Sequence, residues 1–373
     1  MSEIATQTVT EPATHVGAKR APRVLLSPYT NTTNPYIELQ KALLTDIGYD
    51  VRPMSLKSLA QGGFVDVFRP GTVLVFHWLE LRAFNCLGKE VVLSPRGLLV
   101  FAFYCLLMRV GRARTVYFVH DHAVHNTRGK VRRLSMRLMS IVRRLADFRV
   151  VHAPDFEAQY DARYLPHPLY WDVPERTPDE PRQRRKRAKP AFALLGAIQP
   201  YKEIAAVLQV WPRDSELEIA GRSNPAYVET LDAIVRERAL GDVVTIDARL
   251  LSDEEFEQKV EAADVVILPH AADSMLVSGA FFEAIGRVPF VISRAIPFMK
   301  WAAQQFDNVL LFDNVDELPA LVESVARRWA ALESEEGGGS REQHRAIDAF
   351  GWNACRRRYQ QFFGDIVGVP AKR

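Results

Sequence analysis

The segment Ser274-Met-Leu-Val-Ser-Gly-Ala-Phe-Phe-Glu-Ala-Ile-Gly-Arg-Val-Pro-Phe-Val-Ile-Ser293 gathers residue types that can hold a phosphate and a ribose. It follows an apolar stretch, Val265-Val-Ile-Leu-Pro269, that reads as a strand. Ser278-Gly279 then opens a helical run with Glu283 on its second turn, and another apolar strand follows at 288–292. Free N–H groups and the positive end of the helix dipole attract an anion there, and glycine lets the backbone come close. A carboxylate one turn further in accepts hydrogen bonds from ribose hydroxyls. That combination fits a nucleoside diphosphate. The plainer reading of the same residues is a βαβ crossover with a well-capped helix. His270 and Asp273 flank the loop and are candidates for contact with a sugar.

A second chemical cluster is Tyr117-Phe-Val-His-Asp-His-Ala-Val-His-Asn126, which ends another apolar strand. His120, His122 and His125 suggest a metal site by type. Loop positions at that spacing do not fix tetrahedral geometry, however, and no cysteine or glutamate-rich partner is near, so no metal is expected. Asp121 has the chemistry to orient a histidine or to act as a base. The plainer reading is a set of polar loop residues capping the next helix. Arg222, after Ala220-Gly221, offers a positive charge to an anion or is a solvated loop arginine.

The elements that must position these residues alternate. In the first half, strands are predicted at 23–28, 50–54, 72–77, 115–120 and 148–152, with helical runs between most of them. Asn34-Pro35 opens the first helix, because asparagine caps and proline suits the first turn. The series restarts at Ala191-Phe-Ala-Leu-Leu-Gly196, with strands predicted at 216–220, 243–246, 264–268, 289–293 and 308–312. Ser252-Asp-Glu-Glu255 is a capping box. Strands alternating with helices imply parallel sheets with helices on both faces. Ligands of such sheets bind beyond the carboxyl ends of the strands, where both clusters fall.

Residues 179–190, proline-bounded, charged and without an apolar face, read as a linker between domains at 21–178 and 191–340. Residues 1–20 read as a disordered tail without a secretory leader, and 341–373 as a C-terminal helix returning to the first domain. Three scattered cysteines exclude a disulfide framework and suit a reducing cytosol. The longest apolar run, 98–108, is too short to span a bilayer and reads as a buried helix, the alternative being a membrane-dipping one. The net charge of +3 is unevenly placed. Residues 129–148 interleave Lys130, Arg132, Arg133, Arg137, Arg143 and Arg144 with apolar residues at helical spacing. This basic amphipathic helix is either a surface for anionic lipid or an ordinary helix with a solvated face. No aromatic platform accompanies the charge, so nucleic acid is not an expected partner.

Several motifs carry a family resemblance. Glu283-Ala284 and Gly286-Arg-Val-Pro-Phe-Val-Ile292 resemble the donor-binding helix and following strand of glycosyltransferase family 4 and related GT-B sugar transferases. The first glutamate of the family's pattern is replaced by Met275, and the Ser278-Gly279 form of the loop is closer to exopolysaccharide-building relatives. Gly196-Ala-Ile-Gln-Pro-Tyr-Lys202 is similar to the family's Gly-to-Lys turn, whose lysine neutralises the donor diphosphate; Glu203 stands where glycine is usual. Val124-His125-Asn126 and His77-Trp-Leu-Glu80 resemble turns of the exopolysaccharide transferases.

The resemblance implies an α/β GT-B fold, two Rossmann-like domains facing a central cleft. It implies a glycosyltransferase taking a UDP- or GDP-type nucleotide-sugar, with family retention of anomeric configuration. Gly196, Lys202, Arg222, His270, Ser278, Gly279 and Glu283 would face the donor. His120, Asp121 and His125 would lie nearest the chemistry, and His77, Glu80 and Asn34 would lie on the acceptor side. The expected acceptor is a saccharide or lipid-linked saccharide for surface polysaccharide, met on the cytosolic face of the membrane. No cofactor is expected, and the absence of an Asp-x-Asp motif after any strand predicts metal independence. The competing expectations are a nucleotide-sugar epimerase or phosphorylase of the same fold, or a non-catalytic nucleotide-binding partner.

Overall fold

The computed structural model describes residues 21–31, 35–87, 90–125, 127–174, 187–270, 275–332 and 338–368. The first half contains β1 (Arg23–Ser27), α1 (Tyr36–Asp46), β2 (Asp50–Pro53) and β3 (Thr72–His77). A hairpin of β4 (Phe84–Leu87) and β5 (Glu90–Leu93) follows, then α2 (Pro95–Val110), β6 (Arg114–Val119), α3 (Gly129–Leu145), β7 (Phe148–Val151) and β8 (Arg163–Tyr164). Apart from the hairpin these strands form one sheet in the order β2-β1-β3-β6-β7-β8, with parallel neighbours throughout. All six residues of β3 are buried, as a strand covered on both faces must be.

The second half contains β9 (Phe192–Leu195), α4 (Ile204–Val210), β10 (Leu217–Ala220), α5 (Pro225–Glu237), β11 (Val244–Asp247) and α6 (Asp253–Ala262). It continues with β12 (Val265–Leu268), α7 (Gly279–Ala284), β13 (Phe290–Arg294), α8 (Pro297–Gln305), β14 (Val309–Phe312) and α9 (Leu318–Leu332). Its sheet runs β11-β10-β9-β12-β13-β14, all parallel. The strand order reverses between β9 and β12, and in the first sheet between β1 and β3. A crevice opens at such reversals, beyond the carboxyl ends of the strands. Two Rossmann-like sheets with their crevices turned to a shared cleft make this the GT-B fold.

Four features differ from the sequence expectation or are absent from it. The β4–β5 hairpin and the short edge strand β8 carry no distinct pattern. Helix α2 is not wholly buried: Leu99, Leu106 and Val110 stand 73%, 55% and 51% exposed. Of the apolar stripe expected over 129–148, Leu138 is buried, Val131, Leu134, Leu145 and Phe148 pack half-buried on the core, and Ile141 stands exposed. The final helix is two helices, α10 (Gly338–Phe350) and α11 (Trp352–Gly368). At the break, a Cβ on Gly351 would sit 2.5 Å from the Asp172 carboxylate, which accepts the Trp352 N–H at 2.7 Å and caps α11. Helix α11 lies on the first half: Gln40 Nε2 donates to the Tyr359 hydroxyl at 3.0 Å and Trp352 Nε1 to Asp46 at 2.9 Å. Asn34, most of the expected linker and the expected N-terminal tail lie outside the described residues.

Candidate active site

The two halves enclose a cleft of about 1450 Å3. Strand β9 ends at Leu195 and hands the chain to Gly196, at φ 100°, whose missing side chain leaves room for Lys202: a Cβ there would lie 3.0 Å from Nζ. Gly221 follows β10 and packs so closely that a Cβ would lie 2.1 Å from the Gly196 carbonyl oxygen. The two strand-end loops therefore nest without side chains between them. The Lys202 ammonium is buried and donates to the Leu195 carbonyl at 3.1 Å. Burial pushes its pKa down to about 8. A cation so poorly compensated gains more than a solvated one from an arriving anion. Glu203, in the position where the resembling family has glycine, adopts left-handed backbone at φ 53°, and its carboxylate pairs with Arg294. The local conformation is the glycine one, held here by a side-chain ion pair.

In the same half, Ser278 and Gly279 line the cleft and begin α7, which is only six residues long. Its helix dipole is correspondingly short, so its contribution to anion binding rests on the first-turn amides rather than on a long helix. Gly279 also makes room for Tyr170, whose hydroxyl would lie 3.3 Å from a Cβ at that position. Glu283 lines the same wall, as do His270 and the exposed Arg222. Burial, with the charges of Lys202 and His125, holds His270 well below the usual histidine range. All seven expected donor-side residues thus line one cavity. Asp273 lies outside the described residues.

The first half supplies the facing wall. His120, Asp121 and His125 line it after β6. His125 Nε2 meets Asp121 at 3.1 Å, and its ring stacks on Tyr201 with centroids 5.1 Å apart. Burial works against a charged His125, yet the Asp121 carboxylate outweighs it and raises the pKa. His120 takes a different state. Its Nε2 meets His77 Nδ1 at 2.9 Å, Trp78 stacks on its ring at 4.2 Å, and burial holds it neutral. His77 Nε2 is buried without a partner. An orphan lone pair is tolerated better than an orphan N–H, so His77 donates from Nδ1 and His120 keeps its own proton on Nδ1. The His120 carbonyl also accepts the Leu276 N–H at 3.1 Å, which ties the two walls together.

His77 and Glu80 are 1% and 2% exposed and do not reach the cleft. Expected as packing on the acceptor side, they support the first-half wall from beneath: His77 meets His120, while Glu80 accepts the Tyr117 hydroxyl at 2.7 Å. Burial raises the Glu80 pKa to about 7. Sequence reading gave no role to Tyr36, Trp78, Tyr170 and Tyr201 and took His167, like His152, as structural; Tyr36, Trp78, His167, Tyr170 and Tyr201 line the cleft. The ring of Tyr36 lies 4.9–5.6 Å from the rings of four histidines, His77, His120, His152 and His167. Only the threefold recurrence of histidine at first-half strand ends (77, 120, 152) hinted at this. No group of three or more His, Cys, Asp or Glu side chains among the described residues is arranged to hold a metal ion.

No family model matches the chain, and no curated protein matches it in sequence. Solved structures match its fold. Anabaena Alr3699/HepE in complex with UDP and glucose has 14% identity over 92% of this chain and all of that one, with a TM-score of 0.61. Sucrose-phosphate synthase from Thermosynechococcus elongatus has 16% identity over 94% of this chain and all of that one, at 0.63. AviGT4, a glycosyltransferase of avilamycin A biosynthesis, has 14% identity over 94% of this chain and 99% of that one, at 0.55. The fold class is that of GT-B glycosyltransferases.

Proposed function

We propose that this chain is a glycosyltransferase that moves a sugar from a nucleoside-diphosphate sugar to a hydroxyl acceptor. The observation that carries the reading is the buried Lys202 ammonium lining the same cleft as the Ser278-Gly279 turn. The solved HepE complexes, which hold UDP and UDP-glucose in the same fold, support it. The diphosphate sits between Lys202, Arg222 and the first-turn amides of α7, with Glu283 on the ribose and His270 beside the sugar. As the acceptor oxygen bonds to the anomeric carbon, the bond to the diphosphate oxygen breaks. Lys202 and the amides stabilise the charge that gathers on the leaving group, so a divalent metal is not required. The acceptor approaches from the first half and is a saccharide, in our reading a lipid-linked one for surface polysaccharide, handled on the cytosolic side of a membrane that residues 129–148 help to touch.

The family resemblance carries retention. One observation favours inversion: Asp121, paired with His125, is a carboxylate base in the acceptor-side wall, while Met275 occupies the place of the family's first glutamate. In an inverting reaction Asp121 receives the acceptor proton. The test incubates the protein with UDP-, GDP- and dTDP-sugars and candidate acceptors, with and without chelator. Acceptor-dependent release of nucleoside diphosphate that survives chelation is expected, and the anomeric signal of the product separates the two outcomes. Nucleotide binding without release under any acceptor would favour a non-catalytic binding protein instead.

A further inference from the structure

Helix α2 is an unpartnered apolar ridge set in a basic surround. Its outward stripe runs Arg96, Leu99, Ala102, Leu106 and Arg109, at the three- and four-residue spacing of one helix face. Of the twelve large apolar side chains exposed among the described residues, ten lie before residue 150. Between residues 91 and 146 the chain holds eleven lysines and arginines and one carboxylate, Asp121, which lines the cleft. The whole chain is only +3, so the charge is gathered in this segment; Arg114 within it pairs with Asp147, and Arg96 and Arg109 of α2 are exposed beside the ridge. Helix α3 packs beside α2 and presents Lys130, Arg133, Arg137 and Arg144 to solvent, while Arg143 turns inward over the Tyr160 ring.

We infer that the α2 ridge inserts into an anionic lipid surface, with the exposed arginines of α3 lying on the headgroups. This extends the membrane part of the reading above and adds the α2 ridge to the apolar contact, since most of the α3 stripe packs on the core and leaves only Met136 and Ile141 exposed among the described apolar residues of that helix. Charge decides the occupant. A second copy of the same face would bring two strongly positive surfaces together. A polyanion such as nucleic acid has no use for a row of leucines. An anionic bilayer satisfies both the ridge and the charge. The face is continuous with the cleft lip, because Val92, Arg128 and Val131 line the cleft next to α2 and α3. An acceptor held in the lipid would therefore meet the first-half wall without leaving the surface.

The test is vesicle flotation of the full chain with phosphatidylcholine vesicles, with and without phosphatidylglycerol, at low and at molar salt. Binding is expected only with phosphatidylglycerol, and is expected to fade at molar salt, where screening shortens to about 3 Å. Leu99→Ser with Leu106→Ser removes exposed apolar surface without adding charge, and is expected to weaken binding at least tenfold with melting temperature and UDP affinity unchanged. Three results overturn the inference: wild type that ignores anionic vesicles at low salt, a double variant that binds like wild type, or a wild-type dimer that the double variant converts to monomer. Nucleotide binding is measured on the same preparations. A chain that takes nucleotide but not vesicles refutes the surface alone, and the converse refutes the transferase reading alone.

Discussion

At the residue scale, burial shifts the titration of Lys202, His120 and His270 in the cleft, and of Glu80 beneath it. Glu80 shows what that costs. In the unfolded chain its carboxyl ionises near 4.5, whereas in the fold burial raises it to about 7. As pH rises from 4.5 to 7 the unfolded chain ionises first, so the fold loses stability across that window and bears the full cost above it. Glu80→Gln keeps an acceptor for the Tyr117 hydroxyl and removes the buried charge. It is expected to leave stability unchanged at pH 4.5 and to raise it by on the order of 1–3 kcal/mol at pH 8, read from thermal melts at both values. A melt lowered at pH 8 would show that the ionised carboxylate is needed where it lies. The sequence showed the types at these positions but not the burial. Of His77-Trp-Leu-Glu80, only Trp78 lines the cleft, while His77 at the end of β3 and Glu80 are buried beneath it. Tyr170 and Tyr201 were illegible for another reason: nothing local marks an aromatic that packs across a cleft.

At the scale of elements, alternation of apolar runs with amphipathic ones was enough to read eleven of the twelve strands of the two sheets within about two residues at their ends, a common scatter for element boundaries. The misses have physical causes. The edge strand β8 is two residues long and leaves no pattern. The α10–α11 break depends on Asp172, distant in sequence, and Gly351 alone did not announce it. The nested glycines were half legible: Gly196 and Gly221 each follow a strand, but their contact appears only when β9 and β10 lie side by side. That contact is a hard constraint. Gly221→Ala places a Cβ 2.1 Å from a backbone oxygen at φ 142°, so the loops must part. A loss of about 2–4 kcal/mol is expected in urea unfolding, together with weakened nucleotide binding. An unchanged unfolding midpoint would mean that the loops separate freely and do not shape the diphosphate pocket.

At the scale of the molecule, two sheets turn their crevices toward one another, joined across the cleft by the Leu276–His120 bond and behind it by α11. The division into two α/β halves was legible from the restart of the strand series; which walls face each other was not. The central claim is that this cleft receives a diphosphate at Lys202. The lysine has an ordinary pKa of 10.5 and about 8 in the fold. Between those values the folded chain gives up its proton before the unfolded chain does, so the empty protein gains stability as pH rises through that window. A bound diphosphate reverses the preference and holds the proton on the ammonium. Calorimetric titration of UDP and GDP at pH 7 and pH 9, into wild type and Lys202→Met, tests this directly. One nucleotide or both should bind wild type with proton uptake at pH 9, with affinity falling by up to about tenfold per pH unit above 8, and Lys202→Met should lose at least tenfold at pH 7. Binding to Lys202→Met at wild-type affinity, or no binding of either nucleotide to wild type at millimolar concentration, would contradict the account.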